Sequence, residues 1–470
     1  MNQPQTAKFL TGSTLRHVLV MTATSSLGLM AVFFVDVLNL LYISKLGQSE
    51  LTAAIGYSGT LMFFLTSVAI GLSIATTAQV SRALGRGDRQ AASELGGAGL
   101  GLMGVTMLVL ATLAFLFARP MTALLGAEGE TLELSVRFFK IVIFSMVVMA
   151  VGMSAMGLLR AKGDAKRSMY VTLIAAVVTA VLDPLFIFVF KLGLDGAAYA
   201  TVISRLVLLA VGLNSVVRVH HMIAWPSRQT MAVAAGPYFA IGVPAVMTQL
   251  ATPVGNAWVT AEIAQFGDAA VAGWSIVGRI TPVAFGAIFA LSGAIGPILG
   301  QNFGAGNFDR VRQTMTDSFK TVVVYVLLVW LLLALFRNQI SDLFGADGIT
   351  RDFINFYCVF VAGSFLFNGM LFVANAAFNN LGFPLYSTIA NWGRSTLGVI
   401  PFVSLGALWY GPNGAIAGSG LGTIIFGLGS AYVCFRVLSS LETQEAPKTD
   451  PVITVVEQPA FANEKAVSLG

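Results

Sequence analysis

The sequence predicts an all-α integral membrane protein: twelve transmembrane helices in two six-helix lobes, related by a pseudo-two-fold axis along the membrane normal. Three observations carry this prediction. Of the 470 residues, 56% are apolar and only 10% are charged. An average soluble domain is about 25% charged, so this chain cannot coat a water-facing surface. Twelve apolar stretches reach the ~20 residues that a helix needs to cross a bilayer. Loop motifs also recur at a nearly constant offset along the chain. The composition excludes a soluble enzyme, a disordered protein and a secreted disulfide scaffold. Cys358 and Cys434 lie inside apolar runs and imply no disulfide framework. The three histidines form no Cys/His cluster, so no metal-site spacing is present.

In chain order the predicted spans cover 15–43, 51–80, 93–118, 136–159, 169–190, 196–217, 234–260, 269–300, 314–336, 353–378, 385–405 and 413–435. Turn and charge signals separate them, as in Leu84-Gly-Arg-Gly-Asp88, Arg160-Ala-Lys-Gly-Asp164 and Phe303-Gly-Ala-Gly-Asn307. The first run is too long for a signal-peptide core and lacks a small-residue cleavage site, so it reads as a span. Lysine and arginine placement sets the orientation. With the N-terminus inside, 17 of them, from Lys8 and Arg16 to Lys465, fall on the inner side and 7 on the outer. Both termini are therefore expected in the cytoplasm of a multi-pass cytoplasmic (inner) membrane protein. The net charge of +5 reflects this asymmetry and not nucleic-acid binding. The expected organisation is a cytoplasmic segment 1–14, a first lobe 15–217, a linker 218–233, a second lobe 234–436 and a polar, disordered tail 437–470.

The duplication rests on four pairs of motifs. Leu46-Gly47 resembles Phe266-Gly267, and Gly85-Arg-Gly-Asp88 resembles Gly306-Asn-Phe-Asp309. Leu125-Gly-Ala-Glu128 resembles Phe344-Gly-Ala-Asp347, and Gly193-Leu-Asp-Gly196 resembles Gly411-Pro-Asn-Gly414. The offsets run from 218 to 221 residues. Four matches in order indicate two homologous halves. Each half holds an even number of spans, so both enter the membrane from the same side, with the substrate path expected between them.

Several stretches together resemble the MATE (multidrug and toxic compound extrusion) transporters. They are Asp36…Ile-Ser-Lys-Leu-Gly47, Gln79…Gly85-Arg-Gly-Asp88, Leu159-Arg-Ala-Lys-Gly-Asp164 and Leu182-Asp-Pro-Leu-Phe-Ile-Phe188 in the first half. Gly300-Gln-Asn-Phe-Gly-Ala-Gly306 and Asn380-Leu-Gly-Phe-Pro384 follow in the second. The resemblance covers residues 10 to 437 and is nearest to the DinF-like branch. It implies a cation or proton site in the first lobe, built on acidic residues of spans 1 and 5 with nearby Asn and Thr. Carried over by position, Asp183 is the span-5 aspartate and Thr201 the span-6 threonine. Two positions depart from the pattern: Asn39 stands at the usual span-1 aspartate position with Asp36 one turn earlier, and Thr179 stands where asparagine is common.

Charges at membrane depth point to the same region. A charged side chain at the bilayer centre costs about 2.5–3.5 kcal/mol on insertion scales, and Asp36, Asp183, Arg205, Arg279 and Arg394 all fall inside spans. Asp36 and Asn39 share one helical face, and Thr179 and Asp183 another. Burial and a second carboxylate both raise a carboxyl pKa, so the pair Asp36/Asp183 can hold a proton near neutral pH or share a monovalent cation such as sodium. The alternative is a fixed ion pair between Asp183 and Arg205. In the second lobe Thr248, Thr252, Asn256 and Thr260 form one stripe and Asn368, Asn375 and Asn379 another. These serve either interhelical hydrogen bonding or, with Arg205, Arg279 and Arg394, the lining of a substrate cavity. Pro244 and Pro253 are expected to kink span 7 and help open such a cavity.

These features predict a non-enzymatic secondary antiporter, working as a monomer in the lipid bilayer without a cofactor. It would export small amphipathic, cationic compounds in exchange for protons or sodium. No Gly-x-x-x-x-Gly-Lys-Ser/Thr phosphate loop is present. The alternatives are a lipid-linked oligosaccharide flippase, which Arg205, Arg279 and Arg394 would suit, and a non-transporting membrane scaffold.

Overall fold

The computed structural model describes residues 7–44 and 49–443, apart from the side chains at 36, 37, 40, 41, 43, 44, 49, 50 and 52. Every regular element among the described residues is helical. In the first half these are α1 (Thr14–Ser44), α2 (Ser49–Gly85), α3 (Arg89–Leu116), α4 (Ala118–Leu124), α5 (Gly129–Val142), α6 (Ser145–Lys162), α7 (Ala165–Pro184) and α8 (Gly193–Asn214). The second half contains α9 (Arg228–Ala264), α10 (Asp268–Ala284), α11 (Gly286–Gly304), α12 (Phe308–Leu335), α13 (Arg337–Leu343), α14 (Gly348–Phe356), α15 (Phe365–Leu381), α16 (Pro384–Ser395) and α17 (Ile400–Thr443).

Among the described residues ten helical stretches are long and apolar enough to cross a bilayer, and the bent pair α10–α11 makes an eleventh. The stretch Pro384–Thr443 contributes two, because Tyr410 and Gly411 are non-helical and the chain turns back there. Twelve spans result, as the composition predicts. Several are less regular than their hydropathy suggests, spans 4, 8 and 10 among them. Span 4 is α5 and α6, interrupted at Ile143–Phe144. Span 8 bends by 47° between α10 and α11, just after Pro282, whose missing N–H weakens the last turn. Span 10 passes through a π-helical turn, Tyr357–Val361, and a 3-10 turn, Ala362–Ser364. Span 7, by contrast, stays one helix through Pro237, Pro244 and Pro253, so the expected kinks do not interrupt it.

The duplication is visible in the backbone. The bounds of α3 and α4 recur in α12 and α13 with an offset of 219 residues. Left-handed glycines recur in the same register: Gly87 with Gly306, Gly126 with Gly345, Gly129 with Gly348, Gly163 with Gly382, and Gly193 with Gly411 one residue short of it. A residue with a Cβ strains in that conformation, so these glycines fix the turns of both halves. The first three residues of each matched helix also need partners for their N–H groups. Asp88 Oδ1 accepts from Ala91 N–H at 2.8 Å, and its counterpart Asn307 Oδ1 from Arg310 N–H at 3.3 Å. This pairing corrects the sequence register at that loop, which matched Asp88 to Asp309, by two residues. The pairing of Leu46-Gly47 lies outside the described residues.

Equivalent helices pack equivalently. In the first lobe α1 packs on α7, α2 on α3 and α6, and α8 on α6 and α7. In the second, α9 packs on α16, α11 on α12 and α15, and α17 on α15 and α16. Spans 11 and 12 form the tightest hairpin, with Gly398 facing Gly422, Phe402 facing Gly418 and Gly406 facing Gly414. A Cβ on Gly418 would enter the Phe402 carbonyl, whereas Gly429 on the same helix has nothing within 4 Å. Small residues at such spacing let membrane helices touch backbone to backbone. Gly418→Ala is expected to destabilise the protein by about 1–3 kcal/mol through overpacking. Gly429→Ala should be neutral or mildly stabilising. Thermal unfolding of the two variants in detergent checks the contrast.

Candidate functional site

The first-lobe site is built where α7 lies between α1 and α8. α1 and α7 run in the same direction, and two contacts fix their register. Gly28 rests against Thr172, and the Tyr42 and Phe188 rings meet edge to face with centroids 6.0 Å apart. By the offset of these two contacts Asn39 lies about level with Asp183, and backbone position 36 about one turn nearer the start of the helices. Asn39 is half-buried; the side chain of Asp36 lies outside the described residues. Asp183 is fully buried. It immediately precedes Pro184, the last residue of α7, and the π-helical turn Leu185–Val189 follows. Such π turns interrupt the regular hydrogen-bond ladder and recur at functional sites.

The neighbouring hydroxyls bind α7 to α8. Thr179 Oγ1 donates to Ser204 Oγ at 2.7 Å, and Ser204 Oγ donates to the Ala175 carbonyl at 2.8 Å. Thr201 Oγ1 turns back on its own helix and donates to Ala197 O at 2.9 Å. Arg205 reaches the start of α6, where its Nη1 donates to Ser145 Oγ at 2.8 Å, beside the break in span 4. The sequence reading missed Ser145 and Ser204. Serines inside an apolar helix carry no signal until their neighbours are known.

The second-lobe residues separate into two groups. Arg394 on α16 donates through Nη2 to Thr252 Oγ1 on α9 at 3.1 Å. Thr252 and Asn256 are exposed, and Arg279 on α10 is exposed with no hydrogen bond or ion pair among the described residues. Asn375 is instead buried between helices, where its Oδ1 accepts from Asn391 Nδ2 at 3.0 Å. Thr248 is likewise buried; its Oγ1 donates to Pro244 O on its own helix at 2.9 Å and lies 3.3 Å from Thr388 Oγ1 on α16. Asn368 Oδ1 is buried without a hydrogen-bond partner among the described residues. Asn375 and Thr248 thus occupy the interhelical alternative. In the repeat register Asp36 corresponds to Gly255 and Asp183 to the Pro401–Phe402 step, so the second lobe has no counterpart of the carboxylate pair.

The lobes meet along α2 and α9, where Gly71 abuts the Val246 backbone, and through a polar seam at the basic end that carries Lys8, Arg82, Arg160 and Arg310. There α11 docks on α1 and α2, whereas α10, the other half of the same span, packs chiefly on α9, α11 and α14. Gly85 abuts the Gln301 backbone, Gly304 the Arg82 backbone and Gly300 the Ser81 side chain. Gln301 bridges the seam: its Oε1 accepts from Phe9 N–H at 2.9 Å and its Nε2 donates to Ala161 O at 2.6 Å. Arg82 donates to the Asn380 and Asn379 carbonyls at 3.0 and 3.1 Å. Arg310 Nη2 donates to Phe9 O at 2.9 Å and Gly12 O at 3.1 Å, which ties the segment before α1 into the seam. Sequence reasoning used Gly300-Gln-Asn-Phe-Gly-Ala-Gly306 only as a mark of resemblance. Two amides beside glycines spaced four apart (Gly296, Gly300, Gly304) were the available signal for a close polar contact.

Comparison with known proteins agrees with this architecture. The family model MatE matches residues 14–185 and 244–403. A FAD transporter of Shewanella oneidensis is 26% identical over 440 residues, covering 92% of this chain and 96% of the relative. The multidrug export protein MepA of Staphylococcus aureus is 27% identical over 355 residues, covering 72% and 75%. The Vibrio cholerae MATE transporter VcmN in its bent form superposes with a TM-score of 0.87 at 26% identity, covering 92% and 98% of the two chains.

Gln301→Leu deletes two hydrogen bonds across the seam and leaves Phe9 N–H and Ala161 O buried. Each loss costs about 1–3 kcal/mol, so opening at the basic end is expected to rise at least about tenfold. A cysteine at the buried Ser81, in a background with Cys358 and Cys434 changed to serine, reports this as faster labelling by a membrane-impermeant maleimide. An unchanged rate would show that Gln301 does not hold the seam.

Proposed function

This chain belongs to the MatE family, and from that premise we propose that it is an ion-driven antiporter that expels small amphipathic, cationic compounds. The observation that carries the proposal is the fully buried Asp183, set where α1, α7 and α8 meet and where the helix gives way to a π turn. A buried carboxylate in such a place is costly. Visits by an ion that neutralises it supply a reason for its presence.

In this reading Asp183 and Asp36 take up a proton or a sodium ion from the side opposite the basic end. Asn39, Thr179 and Thr201 supply the adjoining polar surface. The basic end, with its excess of Lys and Arg, faces the cytoplasm, and so do both termini. Closure at the basic end corresponds to a state open to the outside. Return to the opposite state requires the Arg82, Gln301 and Arg310 contacts to break. One charge moving down 100 mV supplies about 2.3 kcal/mol, enough for a roughly 50-fold cargo gradient. Neutral polar groups around Thr252 and Asn256 would receive the cargo in the second lobe. The protein would act as a single copy without a cofactor.

A second reading concerns the charge of the cargo. Arg279 is exposed without a protein partner among the described residues, and Arg394 bonds only neutral oxygens. One relative is a FAD transporter. An anionic dinucleotide is therefore the rival cargo, and its phosphates would pair with Arg279 and Arg394.

Efflux from reconstituted vesicles under imposed proton or sodium gradients tests the reading. Asp183→Asn is expected to abolish gradient-driven ethidium efflux while leaving ethidium binding intact, and Asp36→Asn to do the same. Normal gradient-driven efflux by both variants would remove the coupling role. If wild type moves FAD and not ethidium, and Arg279→Gln slows it at least tenfold, the anionic reading replaces the cationic one.

A further inference from the structure

The outer face of the second lobe carries a groove of about 420 Å³ between α12, α15 and α17. Its walls are Phe319, Val323, Met370, Leu428, Ala431 and Phe435, with Lys320 at one end. Lys320 is exposed, and among the described residues its ammonium has no hydrogen bond and no ion pair. The other charged groups nearby are committed. Arg312 pairs with Glu442 at 2.5 Å, Asp317 accepts from Thr14 Oγ1 at 2.5 Å, and Arg436 donates to Tyr432 Oη at 2.9 Å. Lys320 is thus the charged residue that lines the groove, and among the described residues no carboxylate pairs with it.

Depth sets what can reach it. No charge lies between Lys320 on α12 and Arg337 at the start of α13. Seventeen residues of helix span about 26 Å, close to the ~30 Å of bilayer hydrocarbon, so the two cations stand at opposite headgroup boundaries. The groove runs from the Lys320 boundary into the hydrocarbon, past Val323 and Val324. In a membrane an apolar furrow on the outside of a bundle is filled by acyl chains. A lysine without a carboxylate at its mouth selects, by charge, a headgroup with net negative charge over one that brings its own ammonium.

We propose that this groove is a binding site for an anionic glycerophospholipid, with one acyl chain between α12 and α17 and the headgroup phosphate on Lys320. Such a lipid lies against α15, whose end supplies the Asn379 and Asn380 carbonyls that hold Arg82. It would brace the helix that forms one side of the seam.

Native mass spectrometry of the full-length protein in detergent tests the site, with dioleoylphosphatidylglycerol, dioleoylphosphatidylcholine and inorganic phosphate added separately. Wild type should retain phosphatidylglycerol at least tenfold better than phosphatidylcholine. Lys320→Gln should erase that preference and Lys320→Arg keep it. Ala431→Phe, which fills the groove from a half-buried position, should weaken both lipids. Equal retention of the two lipids by wild type, or an undiminished preference in Lys320→Gln, overturns the proposal. Displacement of phosphatidylglycerol by millimolar inorganic phosphate also overturns it, since the groove would then contribute nothing. Because Lys320 is exposed, its substitution leaves the core intact, and monodisperse elution of each variant verifies this.

Discussion

A polar group in bilayer hydrocarbon has no water to bond, and this chain's architecture follows from where it sends those groups. Most hydroxyls inside spans return to the carbonyl four residues upstream, as Thr66, Thr112, Thr201 and Thr423 do. Others tie two helices together, as Thr179 and Ser204 do between α7 and α8. The longest-range polar contacts gather at the basic end, where Gln301, Arg82 and Arg310 join segments up to about 300 residues apart in sequence. The long-range polar contacts are thereby concentrated where the two lobes meet, the surface that the proposed alternating access would open and close.

The twelve spans and the duplication were legible because both are written locally. Span number follows from apolar length, and the repeat register from glycines that must adopt positive φ, such as Gly126 and Gly345. The Asp88 register was misread by two residues because a Gly-x-x-Asp string matched better than the cap it forms. Only the hydrogen bond from Ala91 N–H identifies Asp88 with Asn307. The breaks in spans 4 and 10 were not legible. Val142, Ile143 and Phe144 are as apolar as their neighbours, and the interruption depends on packing that hydropathy does not record. The site was partly legible. Asp183 stood out by its charge, but Ser145, Ser204 and the seam residues acquire meaning only through partners on other helices.

The halves share a backbone but not a chemistry. Where the first lobe carries Asp36 and Asp183, the second has Gly255 and the Pro401–Phe402 step. Its polar stripe turns partly inward, through Thr248 and Asn375, and partly outward, through Thr252, Asn256 and the arginines. A duplicated scaffold whose two copies have separated in this way suits two ligands handled on opposite sides of one cleft. Coupling then requires only that ion occupancy on one side change the cost of closing the seam that both share.

On the proposed reading that coupling begins with ion binding at the Asp183 carboxylate, independent of any cargo. Transient currents on a solid-supported membrane, recorded after a proton or sodium concentration jump without substrate, report it directly. The account requires a binding current in wild type for one of the two ions and its loss in Asp183→Asn. A current of equal size in both proteins would place the ion elsewhere.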